Sequence, residues 1–440
     1  MKRRTLLLTA LAVVLAGNNS FGRTLEDVLK EKGVITEDDY KAVTKTKPVD
    51  YTLGNGFTLT SPDEKFKLAV GSCLQLRYTL MDLDNVNDSA TKKAQDSSKF
   101  ELRRVKLYFN GYAYSKDLTF KLMTNFANLQ GGTTKNGGIL EETFVNYRLL
   151  DGLQLRAGQD KIQFGRQFIT SSAAQQFVDT SVVTNAFVPG FDTGVMVHGK
   201  ISDGLVNYNI GGYGGAGQNT FRSTTDNAFA ARLTVNPLGD MKYSESDVEY
   251  SEQPLASFGG NFYRNTLNAS EMNTSSTTNN NIMFANATSG WFGLGNALSG
   301  TRGISATESV DFNTAGFDAA FKWRGFSAQG EYFMARADGQ TSRNNVRGEG
   351  FYVQSGYFVI PKQLELAARY SYLDPNREVT GDHWVETTGA VSWYINNHNL
   401  KLQADYTNVH KQNLIASTNK GASANATDDQ QVRLQAQILF

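Results

Sequence analysis

Residues 430–440 read QQVRLQAQILF, and this pattern decides the fold. Apolar residues begin at Val432 and recur at every second position to Phe440, while Gln431, Arg433, Gln435 and Gln437 occupy alternate positions up to Ile438. Period-two alternation is typical of a β-strand that has one apolar and one polar face. The stretch therefore predicts a strand that separates an apolar environment from water.

The same alternation recurs from about residue 65 onwards, and its occurrences indicate about 16 strands. In RRVKLYFNG the pattern places Arg103 on the apolar face and both Arg104 and Lys106 on the polar face. Strands that cross a membrane need about 9 to 11 residues, whereas strands of soluble domains average about 5 to 6 residues. Because these segments are long, we predict an all-β fold, a transmembrane antiparallel β-barrel of about 16 strands over residues 65–440.

The connections between the predicted strands support this fold, because outer-membrane barrels alternate short periplasmic turns with longer extracellular loops. Short links such as YSKD, LDG, SDG, WRG, IPKQ and NNHN alternate here with long polar stretches, including the Asn/Ser/Thr-rich residues 265–313. One link breaks the alternation: PLGDMKYSESDVEYSEQP, at residues 237–254, is long where a short turn is expected. A soluble β-sandwich or propeller is the competing fold and fits the long strands less well.

The N-terminus precedes the predicted barrel and differs from it. Residues 1–22 combine basic residues, a short apolar run and small residues near a cleavage position, which is typical of a secretory signal peptide. Residues 23–64 are expected to form a periplasmic arm and linker. The arm would contain two short helices around Lys32 and Gly33, with Thr36 as the N-cap of the second.

Composition and motifs argue against several classes of function. Equal numbers of basic and acidic residues, 43 each, give no reason to expect nucleic-acid binding. Cys73 is the only cysteine, which excludes a disulfide framework and a cysteine-based zinc site. The stretch GYGGAG matches GxGxxG, but no helix pattern follows it as a dinucleotide site requires. We predict no catalytic residue, no metal and no cofactor, although a barrel hydrolase remains a distant alternative.

If the apolar strand faces meet lipid, the opposite faces line the lumen of the barrel. Projecting the strands inward gives about 11 basic against 7 acidic positions, which favours anions. The alternative is that mixed charges only keep the lumen hydrated. The basic residues predicted to line the pore within the strands are Arg104, Lys106, Lys121, Arg148, Arg156, Arg232 and Arg369.

The connection that follows the fifth predicted strand is too apolar for a solvated outer loop. It contains Phe164, Phe177, Val183 and Phe187 among other large apolar residues, and such residues need a surface to pack against. We expect residues 161–190, called the constriction loop below, to fold inward and narrow the pore. Lys161 and Arg166, with Arg222 as a further candidate, would then face the permeant ion.

Four stretches resemble the phosphate-selective porin O and P family of Gram-negative outer membranes. They are FELRRVKLYFNGYAYSKDLTFKLMTNFA, EETFVNYRLLDGLQLRAGQDKIQFGRQF, FVPGFDTGVMVHGKISDGLVNYNIGGY and the final strand. The resemblance implies a 16-stranded homotrimeric porin in the outer membrane, with a third long loop that narrows the pore and basic residues that attract anions. It also implies that Phe440, with Ile438 and Ala436 before it, is an address for the barrel-assembly machinery.

These observations lead to one expected function and two rivals. We expect a passive channel for small hydrophilic solutes, with a preference for phosphate or other small anions, because a pore needs lining charge rather than catalytic groups. A non-conducting structural or adhesive barrel is the main rival, and an enzyme is the second. Outer-membrane lipid and the permeant solutes are the remaining expected partners.

Overall fold

The computed structural model describes residues 29–34, 36–38, 49–54, 56–83, 97–132, 138–222, 224–268, 271, 283–285, 290–298, 303–304, 308–412 and 426–440. Within these residues, two short strands precede sixteen longer ones. The short strands are β1 (Val49–Thr52) and β2 (Gly56–Thr60). The longer strands are β3 (Lys67–Asp82), β4 (Ser97–Ala113), β5 (Ser115–Asn125), β6 (Leu140–Leu150), β7 (Leu153–Lys161), β8 (Phe191–Ile201), β9 (Val206–Tyr213), β10 (Ala228–Val235), β11 (Leu255–Leu267), β12 (Val310–Trp323), β13 (Phe326–Gly339), β14 (Asn345–Ile360), β15 (Leu364–Asp374), β16 (Trp384–Asn396), β17 (Leu400–Lys411) and β18 (Thr427–Leu439).

The helices all lie in connections between strands. The α-helices are α1 (Arg166–Ile169), α2 (Val182–Phe187) and α3 (Trp291–Leu298), and 3-10 helices span Phe126–Gly132, Ser172–Ala174 and Met283–Ala285. Among the described residues, no helix is long and apolar enough to cross a membrane.

The strands β3 to β18 form a closed antiparallel barrel, which confirms the predicted fold. Each strand pairs with its neighbour in sequence, and β18 pairs with β3 from Gln430↔Asp82 to Leu439↔Cys73. At the end of this seam the Phe440 amide donates to the Ser72 carbonyl at 3.1 Å. Closure leaves no strand edge exposed, and hydrocarbon would penalise an open edge because its backbone groups would lack partners.

The two faces of β18 follow the predicted alternation. On the outer face Leu434 is 48% exposed, whereas Gln437 on the inner face is 2% exposed. Its carboxamide donates to the Ala173 carbonyl of the constriction loop at 3.0 Å. Exposed apolar side chains therefore cover the outside of the barrel, and polar side chains face its lumen.

The N-terminal segment is described only in part. The expected signal peptide, residues 1–22, lies outside the described residues, and residues 29–31 and 37–38 are helical. Within the expected linker, β2 forms a hairpin with the start of β3, from Phe57↔Val70 to Thr60↔Lys67. The sequence analysis did not anticipate this strand.

Candidate pore lining and constriction

The constriction loop packs inside the barrel through its apolar residues. Phe164, Val183 and Phe187 are fully buried and belong to a hydrophobic cluster with Phe333 of β13. The Phe164 and Phe333 rings stack with their centroids 5.7 Å apart. An outer loop with these residues would expose them to water, so the inward fold removes apolar surface from solvent.

Polar contacts fix the start of the constriction loop to the barrel wall. The Glu331 carboxylate of β13 accepts the backbone amides of Arg166 and Gln167, the latter at 2.6 Å. The Arg166 guanidinium is 1% exposed, donates to the Ser257 hydroxyl at 3.0 Å and lies 3.7 Å from Asp318. Arg166, which the sequence analysis expected to face the permeant ion, is instead an anchor of the loop.

Three further basic side chains hold loop carbonyls. Lys161 donates to the carbonyls of Phe168 and Thr170 at 2.6 and 3.0 Å, and Lys401 donates to the carbonyl of Gln175 at 2.7 Å. Arg369 donates to the Asp179 carbonyl and pairs with Glu386. Because these side chains donate hydrogen bonds to loop carbonyls, Lys161 and Arg369 also serve as anchors of the loop.

Part of the long link that breaks the alternation also enters the barrel, and we call this link, residues 237–254, the inward turn. Glu245 is 3% exposed, and its amide donates to the Ala174 carbonyl of the constriction loop at 3.0 Å. Its carboxylate accepts the Gln176 amide at 2.7 Å. The inward turn therefore contacts the constriction loop directly.

A third inward segment lies between β11 and β12. Phe284 and Trp291 are fully buried in the same cluster as the constriction loop, and Trp291 stacks on Phe187 with centroids 6.0 Å apart. The sequence analysis expected an outer loop in this Asn/Ser/Thr-rich region. Its few aromatic residues were the available signal that part of it packs against the protein interior.

The exposure of inward side chains differs between parts of the barrel wall. Inward side chains on β13, β15 and β17, such as Glu331, Glu365 and Gln403, are at most 5% exposed. On β4 and β5, by contrast, Arg103 and Lys121 are 38% and 30% exposed. We call the part of the lumen beside these partly exposed side chains, next to β4–β7, the passage.

Two β-bulges set which charges face that passage. In the β3–β4 pairing the register shifts so that Gln75 opposes Arg104 and Leu76 opposes Leu102, which leaves Arg103 as the extra residue. A bulge turns an added side chain toward the face of its neighbour, so Arg103 and Arg104 both face the lumen. The assignment of Arg103 to the apolar face is corrected here, because strict alternation fails at a bulge.

The second bulge lies on β6 and acts in the same way on two acidic residues. The β5–β6 register shifts between Leu122 and Thr124, and Glu141 and Glu142 both reach inward. Glu141 pairs with Lys106 at 2.6 Å, and Glu142 pairs with Lys121. The predicted lining residues Lys106 and Lys121 are therefore in the passage wall, each beside a carboxylate.

Two arginines pair with one carboxylate of the constriction loop, and a third arginine is next to them in sequence. Asp179 pairs with Arg77 of β3 at 2.8 Å and with Arg103 at 3.6 Å, and Arg104 donates to the Gln75 carboxamide at 2.7 Å. Burial alone would raise the pKa of Asp179, but Arg103 and Arg77 outweigh it and hold that pKa well below its usual range. We call Arg77, Arg103, Arg104 and Asp179 the arginine cluster.

The remaining predicted lining residues lie apart from this cluster. Arg156 pairs with Asp160 at 2.5 Å in the passage wall, whereas Arg232 is buried against Asp318 at 2.7 Å. Arg148 sits at the short-turn end of β6 and pairs with Asp117 and Asp151. Arg222 pairs with Glu271 beyond the end of β9 and is not among the residues of the arginine cluster.

Glycines on one strand were a sequence signal for the inward segments. Gly348, Gly350 and Gly356 all point inward from β14, and a Cβ on Gly356 would lie 2.0 Å from the Gln176 side chain of the constriction loop. A Cβ on Gly350 would lie 3.1 Å from Phe187. Several glycines on the inner face of one strand thus mark a wall that another segment approaches closely.

A closed barrel with an apolar exterior, a charged lumen and an inward loop defines an outer-membrane channel of the porin type. The model of the phosphate-selective porin O and P family matches residues 70–440, and this chain belongs to that family. It is an outer-membrane porin and lies in the outer membrane of a Gram-negative bacterium.

One relative and two solved structures are similar to this chain at low sequence identity. A protein of Aquifex aeolicus (strain VF5) described as uncharacterized is 23% identical over 435 residues, which cover 91% of this chain and 93% of that protein. The anion-selective porin from Comamonas acidovorans is 10% identical, with a TM-score of 0.52 over 84% of this chain and 99% of its own. The channel DcaP of Acinetobacter baumannii is 13% identical, with a TM-score of 0.52 over 87% and 99%. The two structures share the fold with this chain.

Proposed function

We propose that this porin is a passive diffusion channel that prefers small anions, phosphate among them, over cations. The observation that carries the proposal is the arginine cluster, in which Arg77 and Arg103 pair with the single carboxylate of Asp179 and Arg104 donates to the Gln75 side chain. Glu101, 3.9 Å from Arg77, is itself paired with Lys99 at 3.2 Å and compensates little of this charge. The cluster therefore carries excess positive charge beside the hydrated passage.

The other charges of the passage wall support the same preference indirectly. Lys106, Lys121 and Arg156 each face a carboxylate, so these pairs add little net charge to the passage. Rings of Arg or Lys select for anions, and the unbalanced arginines are the part of this wall that can do so. The Comamonas porin is described as anion-selective, which agrees with the proposal.

Reversal potentials in planar bilayers test the preference. In a salt gradient the wild type should give an anion-selective potential, and the double substitution Arg103→Gln with Arg104→Gln should shift it toward zero or toward cations. Arg148→Gln is a matched control, because Arg148 lies at the turn between Asp117 and Asp151. An unchanged potential in the double variant would refute the assignment of selectivity to the arginine cluster.

The rival function, a non-conducting structural barrel, predicts no current steps from the purified wild type. The partial exposure of Arg103 and Lys121 favours a conducting lumen over a filled one. A homotrimeric assembly is part of the proposal and rests on membership of the family. Mass measurement of the detergent-solubilised protein tests it, and a monomeric mass would contradict it.

A further inference from the structure

Buried hydrogen bonds fix the inward turn to the barrel wall. Asp247 accepts the Gly325 amide at 2.8 Å, and Ser246 donates to Glu365 at 2.8 Å and bonds the Tyr394 hydroxyl at 2.7 Å. Ser246 and Asp247 are each 1% exposed. These contacts join the turn to a neighbouring turn and to the inner faces of β15 and β16.

Glu245 of the inward turn contacts the constriction loop at two separate points. Its carboxylate accepts the Gln167 side chain at 2.9 Å and the Gln176 amide at 2.7 Å. Its own amide donates to the Ala174 carbonyl at 3.0 Å. A single buried residue therefore holds both the first helix of the loop and the segment that follows its 3-10 helix.

A second contact of the inward turn reaches the same region. Met241 is 4% exposed and its sulfur accepts the Arg166 guanidinium at 3.1 Å, while that guanidinium lies 5.0 Å from the centre of the Tyr243 ring. Arg166 is thereby held between the barrel wall and the inward turn. The loop has contacts on both sides at this position.

We propose that the inward turn sets the position of the constriction loop, with Glu245 as the positioning residue. The turn holds the loop against the β11–β18 side of the barrel and so confines the passage to the side next to β4–β7. Glu245 acts through the loop and touches no permeant solute. This inference concerns the geometry of the channel and does not depend on its ion preference.

Loss of the Glu245 carboxylate should let the constriction loop fluctuate. Gln167 and the Gln176 amide would lose buried hydrogen bonds, which should raise the population of displaced loop positions by at least about fivefold. Single-channel records of Glu245→Ala should then show more frequent sublevel transitions and a noisier open current. Lys242→Gln with Glu249→Gln is the matched control, because that pair lies on the exposed face of the same turn.

A reversible cross-link separates the positioning role from a general loss of structure. The hydrogen bond between Glu245 and Ala174 places their α-carbons roughly 5 Å apart, within the range of a disulfide. In a Cys73→Ser background, Ala174→Cys with Glu245→Cys removes the carboxylate but allows the loop to be fastened again. The oxidised channel should be as quiet as the background protein, and dithiothreitol should make the same channels noisy.

The outcomes distinguish this inference from the proposed function. Equal noise in the wild type, in Glu245→Ala and in the reduced double-cysteine protein would overturn the positioning role of Glu245. Noise that persists after complete oxidation would overturn it as well, because a restored link would then fail to restore the loop. An absence of current from the wild type would refute the proposed channel itself, and an altered reversal potential would bear only on ion preference.

Discussion

Asp179→Asn isolates the charge that opposes the arginines. The substitution preserves the shape of the side chain but leaves Arg77 and Arg103 without their shared carboxylate. Arg77 keeps its hydrogen bond to the Val178 carbonyl at 2.6 Å, so the loop retains one link to β3. The positive charge of the arginine cluster should increase by one unit, with little change in the bore.

The size of the effect follows from Coulomb's law. At about 7 Å in a water-like medium, one added charge stabilises a passing anion and destabilises a passing cation by about 0.6 kcal/mol each. The ratio of anion to cation permeability should therefore rise by about 8-fold at low salt. Screening over a Debye length of about 10 Å at 0.1 M salt reduces this to about 3-fold.

Reversal potentials measured at two salt concentrations provide the assay. Asp151→Asn is the control, because it removes the same charge at a distant site. The Asp151 side chain is 80% exposed and pairs with Arg148. The control should leave the permeability ratio close to that of the wild type. A shift of Asp179→Asn toward cations, or a shift that does not shrink as salt rises, would refute the reasoning.

Three other perturbations have defined outcomes. Gly356→Leu should displace the Gln176 segment, because even a Cβ would lie 2.0 Å from that side chain; conductance should change in a protein that still shows the heat-dependent gel mobility of a folded barrel. Deletion of Phe440 removes the last backbone pair of the seam. It should lower the amount of assembled barrel in outer-membrane fractions several-fold and change the single-channel conductance much less, and normal assembly would contradict this. Burial and Asp374 raise the pKa of Asp382 to about 7, so this carboxyl binds its proton more tightly in the folded loop than in the unfolded chain. Its ionisation between about pH 4 and pH 7 then destabilises the folded loop, and Asp382→Asn should increase resistance to limited proteolysis at about pH 8 but not at about pH 4.

Much of the barrel could be predicted because apolar and polar residues alternate along a strand that has lipid on one side and water on the other. β18, for example, was expected at residues 430–440 and spans Thr427–Leu439. The face of Arg103 was wrong because a bulge adds one residue without leaving a trace in the hydrophobic pattern. The sequence analysis identified the broken alternation at residues 237–254 but had no means of knowing that this link enters the lumen.

The candidate site was harder to predict because its partners are distant in sequence. The Arg166 amide binds a carboxylate 165 residues away, and no local pattern distinguishes such an anchor from a charge that faces the passage. Arg104, Lys106 and Lys121 could be assigned to the inner face because period-two alternation holds along β4 after its bulge and along β5. The position of Asp179 between Arg77 and Arg103 required the fold.

Because the lumen is filled unequally, different factors should limit substitutions on its two sides. Side chains on the inner faces of β13, β15 and β17 hold the inward segments, so substitutions there should be limited by folding. Side chains facing the passage, such as Lys121 on β5, have fewer packing obligations and could change with the available nutrients. Such a channel can acquire a new solute preference through a few charge substitutions on one side while its scaffold stays the same.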